Sequence, residues 1–178
     1  MTDQLTAKDW LNQGLKTLTE RGFTALKAEP LAKAMGVSRG SFYWHFADVG
    51  AFHAAILKHW RDVAAEQIIA NLEASSQNDN PLQVLLRQAF GSKLTLEKAV
   101  RTWATVDPVA RSAVQAIDRR RLSYVGSLFE RSGVSPGAAR ARAQIFYWAF
   151  LGFALSDKPL PQARQAAVLD ELLRMASR

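Results

Sequence analysis

The residues of this chain best suited to chemistry lie in the segment 39–45, which reads Arg-Gly-Ser-Phe-Tyr-Trp-His. Arg39 offers a planar fork of hydrogen-bond donors, and Ser41 offers a hydroxyl. The aromatic residues add flat rings with polar edges. Groups of this kind match the acceptors and methyl groups of base edges and the oxygens of phosphates. The predicted contact residues are Arg39, Gly40, Ser41, Tyr43, Trp44 and His45, together with Ser38 just before the segment. The chemistry they indicate is recognition of a nucleic acid.

The elements that position these residues are two short helices joined by a tight turn. Leu31, Ala32 and Met35 recur at helical spacing, which predicts a helix that ends at Met35. Gly36 follows where a left-handed conformation ends a helix, and only Gly adopts that conformation cheaply. Ser38 is then expected to cap a second helix with its side chain. This pattern predicts a helix-turn-helix, which places its second helix in a DNA groove.

The inner side of the second helix is predicted from Phe42 and Phe46, which lie four residues apart and share one face. Upstream, Thr6 and Asp9 form a capping-box pair that starts a supporting helix. Downstream, Asp48 is expected to cap one long helix that continues to the break at residues 75–81.

The segment "LAKAMGVSRGSFYWHF", followed by a capped long helix, resembles the tetracycline-repressor (TetR) family of transcriptional regulators over roughly residues 6–60. The resemblance implies an all-α dimeric regulator, acting as a repressor on a palindromic operator, whose third helix enters the major groove. The family usually has Thr or Ser where Lys27 stands, and a Lys near the start of the fourth helix where this chain has Val49. We therefore expect Lys27 itself to reach a phosphate, and backbone N–H groups at residues 48–51 to serve a second one.

Composition limits the other classes of function. The net charge of +7 favours a polyanionic partner. Residues 1–60 hold seven Lys and Arg against five Asp and Glu, so charge alone does not identify the DNA-binding part. The basic run Arg119-Arg120-Arg121 is interpreted as a solvated or ion-paired helix face. The chain has no Cys, and His45, His53 and His59 lack metal-ligand spacing, so no metal or cofactor is expected.

The domain organisation is predicted to be a DNA-binding head at 1–47 and a helical dimerisation and ligand-binding domain at 48–178. Helices are expected at about 82–92, 95–106, 108–131, 136–156 and 161–176, because the pattern contains no alternating β-type run. The start Met-Thr-Asp-Gln lacks the features of a signal peptide, and the longest apolar run has eleven residues. We therefore expect a cytoplasmic protein without a membrane span.

That apolar run, residues 145–155, predicts a helix that must be covered on more than one side. Packing against the same helix of a second copy would cover it, together with the leucine stripe of the last helix. The expected dimer interface comprises Phe146, Phe150, Phe153, Leu169, Leu172 and Leu173. A small-molecule effector is expected in a cavity with aromatic walls, for which the candidates are Trp103, Trp148, Phe90, Phe129 and Tyr147.

Two other functions were weighed against this one. The segment 36–40 fits the G-x-S-x-G pattern of α/β-hydrolases, but that site requires a buried strand before the Ser, and here a helical segment precedes it. An enzyme is therefore not expected. The serious alternative is a helical small-molecule-binding protein whose helix-turn-helix is structural only.

Overall fold

The computed structural model describes residues 5–74, 80–91, 94–158 and 160–177. All regular secondary structure within these residues is helical, which confirms the all-α prediction. The helices are α1 (Ala7–Arg21), α2 (Ala28–Ala34), α3 (Arg39–His45), α4 (Val49–Arg61), α5 (Gln67–Ala74), α6 (Pro81–Gly91), α7 (Thr95–Ala104), α8 (Pro108–Arg131), α9 (Pro136–Leu155) and α10 (Gln162–Ala176). None of the helices in the described ranges has both the length and the apolar content needed to cross a membrane.

The chain divides into two compact units. The first comprises Met1–Ala64 and Thr95–Ala116, and the second comprises Ala65–Leu94 and Ile117–Arg178. Each unit has its own buried apolar residues.

The first helix begins where the sequence predicts it. The Thr6 hydroxyl accepts a hydrogen bond from the Asp9 amide, and the Asp9 carboxylate accepts bonds from the Thr6 amide at 2.8 Å and the Thr6 hydroxyl at 2.6 Å. The hydrogen bonds from Thr6 hold the pKa of Asp9 below its ordinary value, because they favour the charged carboxylate. Gly22 ends the helix at φ 77°, a left-handed conformation that favours glycine.

Helices α2 and α3 form the predicted helix-turn-helix. Met35 is the last residue associated with α2, and Gly36 follows with φ 69°. The Val37 amide then donates to the Ala32 carbonyl at 3.0 Å, which closes the turn. Leu31 and Ala32 are buried beneath it, so the turn is fixed to the core of the first unit.

The prediction of one regular helix from Asp48 to the break at 75–81 needs a correction. Asp48 does cap α4, and its carboxylate accepts from the Ala51 amide at 2.7 Å. The α-helical hydrogen bonding stops at Arg61, however, and Asp62–Glu66 form a π-helical turn before α5. An added residue per turn rotates the faces that follow. Val63, within the π-helical turn, is 42% exposed. The break itself lies mostly outside the described residues.

The predicted limits of the later helices agree with the observed ones to within two residues. Asp107 caps α8, because its carboxylate accepts from the Ala110 amide at 2.8 Å. Gly133, with φ 91°, separates α8 from α9. In the second unit, residues of α5, α6, α8, α9 and α10 together form one hydrophobic core.

Candidate nucleic-acid interface

The orientation of α3 is fixed by Phe42, whose side chain is fully buried. Its ring centroid lies 5.4 Å from that of Trp10 on α1, 5.3 Å from Phe46 and 5.1 Å from Phe52 on α4. Edge-to-face and tilted pairs at these distances are favourable aromatic contacts. Phe46 is also buried, which confirms that the two phenylalanines form the inner face of α3.

The opposite face of α3 is open to solvent. Trp44 is 87% exposed and Tyr43 is 47% exposed, which is unusual for large aromatic side chains. Arg39 and Gly40 are exposed as well. The Arg39 guanidinium lies over the Tyr43 ring, 5.9 Å from its centroid. The face therefore presents a cation and two flat rings to one side of the unit.

Two of the predicted contact residues on α3 are less open than the others. Ser41 and His45 are half-buried, and the His45 ring centroid is 6.3 Å from that of Phe46. Their side chains therefore offer less surface to a ligand than those of Tyr43 and Trp44 do.

The prediction that the Ser38 side chain caps α3 is wrong. Ser38 occupies the N-cap position, but its hydroxyl makes no capping hydrogen bond. The Ser41 amide, from which a capping hydroxyl would accept, instead donates to the Ser38 carbonyl at 3.0 Å. The Ser38 side chain is left exposed beside the contact face.

An open groove of about 820 Å³ runs beside α3. The end of α1, the start of α2, α3 and the first residue of α4 all contribute to its walls. Its charged and aromatic lining residues are Arg21, Lys27, Glu29, Lys33, Arg39 and Tyr43. Lys27 is the N-cap residue of α2, makes no capping bond through its side chain, and is exposed. Four cations and one carboxylate therefore face the same space.

The start of α4 offers less to an anion than the sequence suggested. The Asp48 carboxylate already accepts from the Ala51 amide. Val49 lines the groove with an apolar side chain. The positive charge of the groove therefore comes from α1, α2 and α3.

The basic run in α8 is partly engaged within the protein. Arg120 donates from Nε to the Glu66 carboxylate at 3.1 Å, and this contact raises the pKa of the guanidinium further. Arg121 lies over the Phe150 ring at 5.3 Å. These contacts agree with the interpretation of the run as a helix face with ion pairs.

The predicted effector residues fall into both units. Trp103 is buried in the first unit, stacked on Phe23 at 5.9 Å and edge-on to His53 at 5.2 Å. Trp148 belongs to the second unit and is 63% exposed on α9. The structure therefore does not bring the two tryptophans together in either unit.

The other three candidates share the core of the second unit. Phe90 packs against Phe153 at 5.4 Å, and Phe129 packs against Phe146 at 5.4 Å. The Tyr147 hydroxyl donates to the Asp118 carboxylate at 2.5 Å. Asp118 and Tyr147 are thus a polar pair among aromatic side chains.

The residues predicted for the dimer interface lie mostly inward. Phe146, Phe150, Leu172 and Leu173 are buried in the second unit, whereas Phe153 and Leu169 are half-buried. The outer surfaces of α9 and α10 carry a different set of exposed apolar residues, none of which was predicted for the interface: Ile145, Trp148, Leu155, Val168 and Met175. On α9 these residues follow the spacing 145, 148, 155, which is one helical stripe.

This chain is similar to known proteins in part of its sequence and in its fold. Residues 11–48 match the model of bacterial regulatory proteins, tetR family. A search of curated proteins gives no match. The fold is similar to that of the reduced form of E. coli NemR, with a TM-score of 0.72, 21% identity, and coverage of 96% of this chain and 94% of that chain.

Two further solved structures are similar over nearly the whole chain. The multidrug binding protein EbrR complexed with malachite green gives a TM-score of 0.65 at 17% identity, covering 95% of this chain and 96% of that chain. BioQ with its natural double-stranded DNA operator gives a TM-score of 0.56 at 19% identity, covering 98% of this chain and 99% of that chain. At these identities the likeness establishes the fold.

Proposed function

We propose that this chain is a transcriptional regulator of the tetR family, on the basis of the match of residues 11–48 to the model of bacterial regulatory proteins, tetR family. It binds a palindromic operator as a homodimer, acts as a repressor in the cytoplasm, and releases DNA when a small molecule binds. The observation that carries the proposal is the exposed face of α3, which is held outward by the buried Phe42. The proposed role is regulatory, with no catalytic step.

Base recognition is assigned to Arg39. Its guanidinium fork matches O6 and N7 of guanine, and it is the first residue of α3, the end of a recognition helix that contacts bases. Tyr43 is assigned to a phosphate, whereas Ser41 and the exposed Trp44 meet base methyls, sugars or phosphates. Lys27, at the start of α2, is assigned to the backbone. The proposal thus separates one sequence-reading residue from several positioning residues.

Dimerisation is assigned to α9 and α10, within the functional division of 1–47 for DNA binding and 48–178 for assembly and effector binding. Ile145 and Trp148 on α9, with Val168 on α10, leave apolar area on the surface that a second copy would cover. Two copies related by a two-fold axis present two identical α3 helices, so the operator should have two-fold symmetry.

The effector is assigned to the second unit, near Phe90, Phe129 and Tyr147. Aromatic walls with few polar groups suit an organic ligand, and Tyr147 with Asp118 supplies a polar pair. The similarity to EbrR, whose structure holds malachite green, supports the proposal that the effector is a small organic molecule. Release of DNA then requires the effector to bind the conformation of low DNA affinity more tightly than the DNA-binding conformation, by about 1–3 kcal/mol.

The test is a titration of labelled duplex from the native upstream region, followed by fluorescence anisotropy at several salt concentrations. We expect tight binding that falls by orders of magnitude between about 50 and 200 mM salt, if six or more phosphates are contacted. Tyr43→Phe should weaken binding to all sequences about equally, whereas Arg39→Ala should relax discrimination at one position in each half-site. Absence of binding to any fragment of the native locus would favour the alternative, a helical binding protein with a structural helix-turn-helix.

A further inference from the structure

The groove beside α3 carries more positive charge than the exposed face of α3 supplies. Arg21 comes from the last turn of α1 and Lys33 from the last turn of α2, and both are exposed. Neither belongs to the set of residues assigned to DNA above. Together with Lys27 and Arg39 they oppose a single carboxylate, that of Glu29.

The four cations are not neutralised from within. Among the described residues, Arg21, Lys27 and Lys33 make no side-chain hydrogen bond or ion pair, and the guanidinium of Arg39 contacts only a ring face. Cations that share a groove without partners repel one another, and they raise the local concentration of anions. A surface of this kind fits a polyanion.

The position of the groove identifies which polyanion fits. Arg39 and Tyr43 form part of its wall and also belong to the exposed face of α3. A ligand that contacts Arg39 and Tyr43 from the side of the groove therefore lies beside Arg21 and Lys33. A DNA duplex that receives α3 in its major groove has a sugar-phosphate strand along each side of that groove.

We propose that Arg21 and Lys33 bind the DNA backbone beside the α3 contact, and that Glu29 weakens this binding by repelling the same strand. This inference rests on the proposed function. It extends the contact surface beyond α3 to the ends of α1 and α2. The start of α4 adds no cation to this groove, because Val49 is apolar and the Asp48 carboxylate caps the helix.

The experiment measures the salt dependence of binding for single variants of the full chain, on the operator and on an unrelated duplex. Each backbone contact adds about 0.9 to the slope of log K against log salt. Arg21→Gln and Lys33→Gln should each reduce the slope by about that amount. The affinity deficit of each variant should then be about 3.5-fold larger at 50 mM than at 200 mM salt, and the same for both duplexes.

Two comparisons make the result specific. Lys16→Gln is the matched control, because Lys16 is an exposed cation on α1 that does not line the groove, and its slope should stay at the wild-type value. Glu29→Gln should bind both duplexes more tightly than wild type, an outcome that damage to the fold does not produce. Thermal melting checks that each variant is folded.

The inference is overturned if Arg21→Gln and Lys33→Gln have the slope of Lys16→Gln, or if Glu29→Gln does not tighten binding. Failure of the proposed function is a different result, because the wild-type protein itself would then bind neither duplex. Loss of preference for the operator in Arg21→Gln would also contradict the inference, since a backbone contact carries no base information.

Discussion

Replacement of Phe42 by Ala should destabilise the first unit, because the Phe42 ring holds α3 against α1 and α4. The side chain is fully buried, and its ring has four aromatic neighbours with centroids at 5.1–5.4 Å, contributed by α1, α3 and α4. Removal of a buried Phe typically costs about 3–5 kcal/mol of unfolding free energy. The neighbouring rings are held by different helices, so they cannot all move into the cavity that the substitution leaves. We therefore expect a loss of about 4–5 kcal/mol in the free energy of unfolding.

A loss of this size is a large part of the stability of a typical domain, about 5–15 kcal/mol. Phe42→Leu is therefore a necessary second variant, with an expected loss of about 1–2 kcal/mol because Leu keeps most of the buried apolar area. Trp44→Ala is the matched control, two residues away on the same helix and 87% exposed in the wild type. It should change stability by at most about 0.5 kcal/mol.

The assay is urea unfolding of the full chain followed by circular dichroism, combined with titration of operator DNA. The expected order of stability is wild type and Trp44→Ala, then Phe42→Leu, then Phe42→Ala. Trp44→Ala should lose DNA affinity while keeping its stability. The reasoning is refuted if Phe42→Ala keeps wild-type stability, or if Trp44→Ala loses as much, because α3 would then present its other face to solvent.

Three further predictions follow from local geometry. Gly14→Ala should lower stability by about 1–3 kcal/mol in urea unfolding, because the new Cβ would lie 2.5 Å from Ile56 Cδ1 in the core, and a gain in stability would contradict this packing. Trp148→Glu should give monomers in sedimentation that keep the helical circular dichroism of the wild type, and an unchanged dimer would place the interface elsewhere. The lowered pKa of Asp9 means that its charged form stabilises the folded state above the unfolded pKa of about 4, and that this stabilisation is lost as the pH falls through the folded pKa. Asp9→Asn should therefore lose less unfolding free energy than the wild type as the pH falls. If both proteins lose the same amount, the Asp9 carboxylate does not stabilise the fold through its contacts with Thr6.

The sequence predicts helix limits well where they depend on local chemistry. Gly36 adopts a positive φ at the predicted end of α2, and Pro108 and Pro136 stand at predicted helix starts. A glycine or proline acts through its own backbone, so no distant contact is needed to locate these limits. The inner face of α3 was predictable for a similar reason, since Phe42 and Phe46 lie one turn apart.

The orientation of α9 could not be predicted in the same way. The run 145–155 is apolar on nearly every side, so helical periodicity gives it no preferred direction. Packing against the rest of the second unit turns Phe146 and Phe150 inward and leaves Trp148 at the surface. Only the tertiary contacts decide between these faces.

Long-range packing also decides the place of Trp103. Its aromatic side chain suits a ligand cavity or a core equally well. The contacts that make it part of the core come from Phe23 and His53, which lie eighty and fifty residues earlier in the chain. The π-helical turn at Asp62–Glu66 contains no glycine or proline that would indicate it in the sequence. Apolar residues continue through it at helical spacing, which explains why one regular helix was predicted.

The most direct test of the central claim, that α3 reads a two-fold symmetric DNA site, is selection of bound duplexes from a random pool with wild-type protein and with Arg39→Ala. The account predicts that the wild type enriches a palindromic sequence, and that Arg39→Ala loses its preference at one position in each half-site while keeping the remaining positions. Failure of the wild type to enrich any sequence, or an identical enriched sequence from Arg39→Ala, would contradict it.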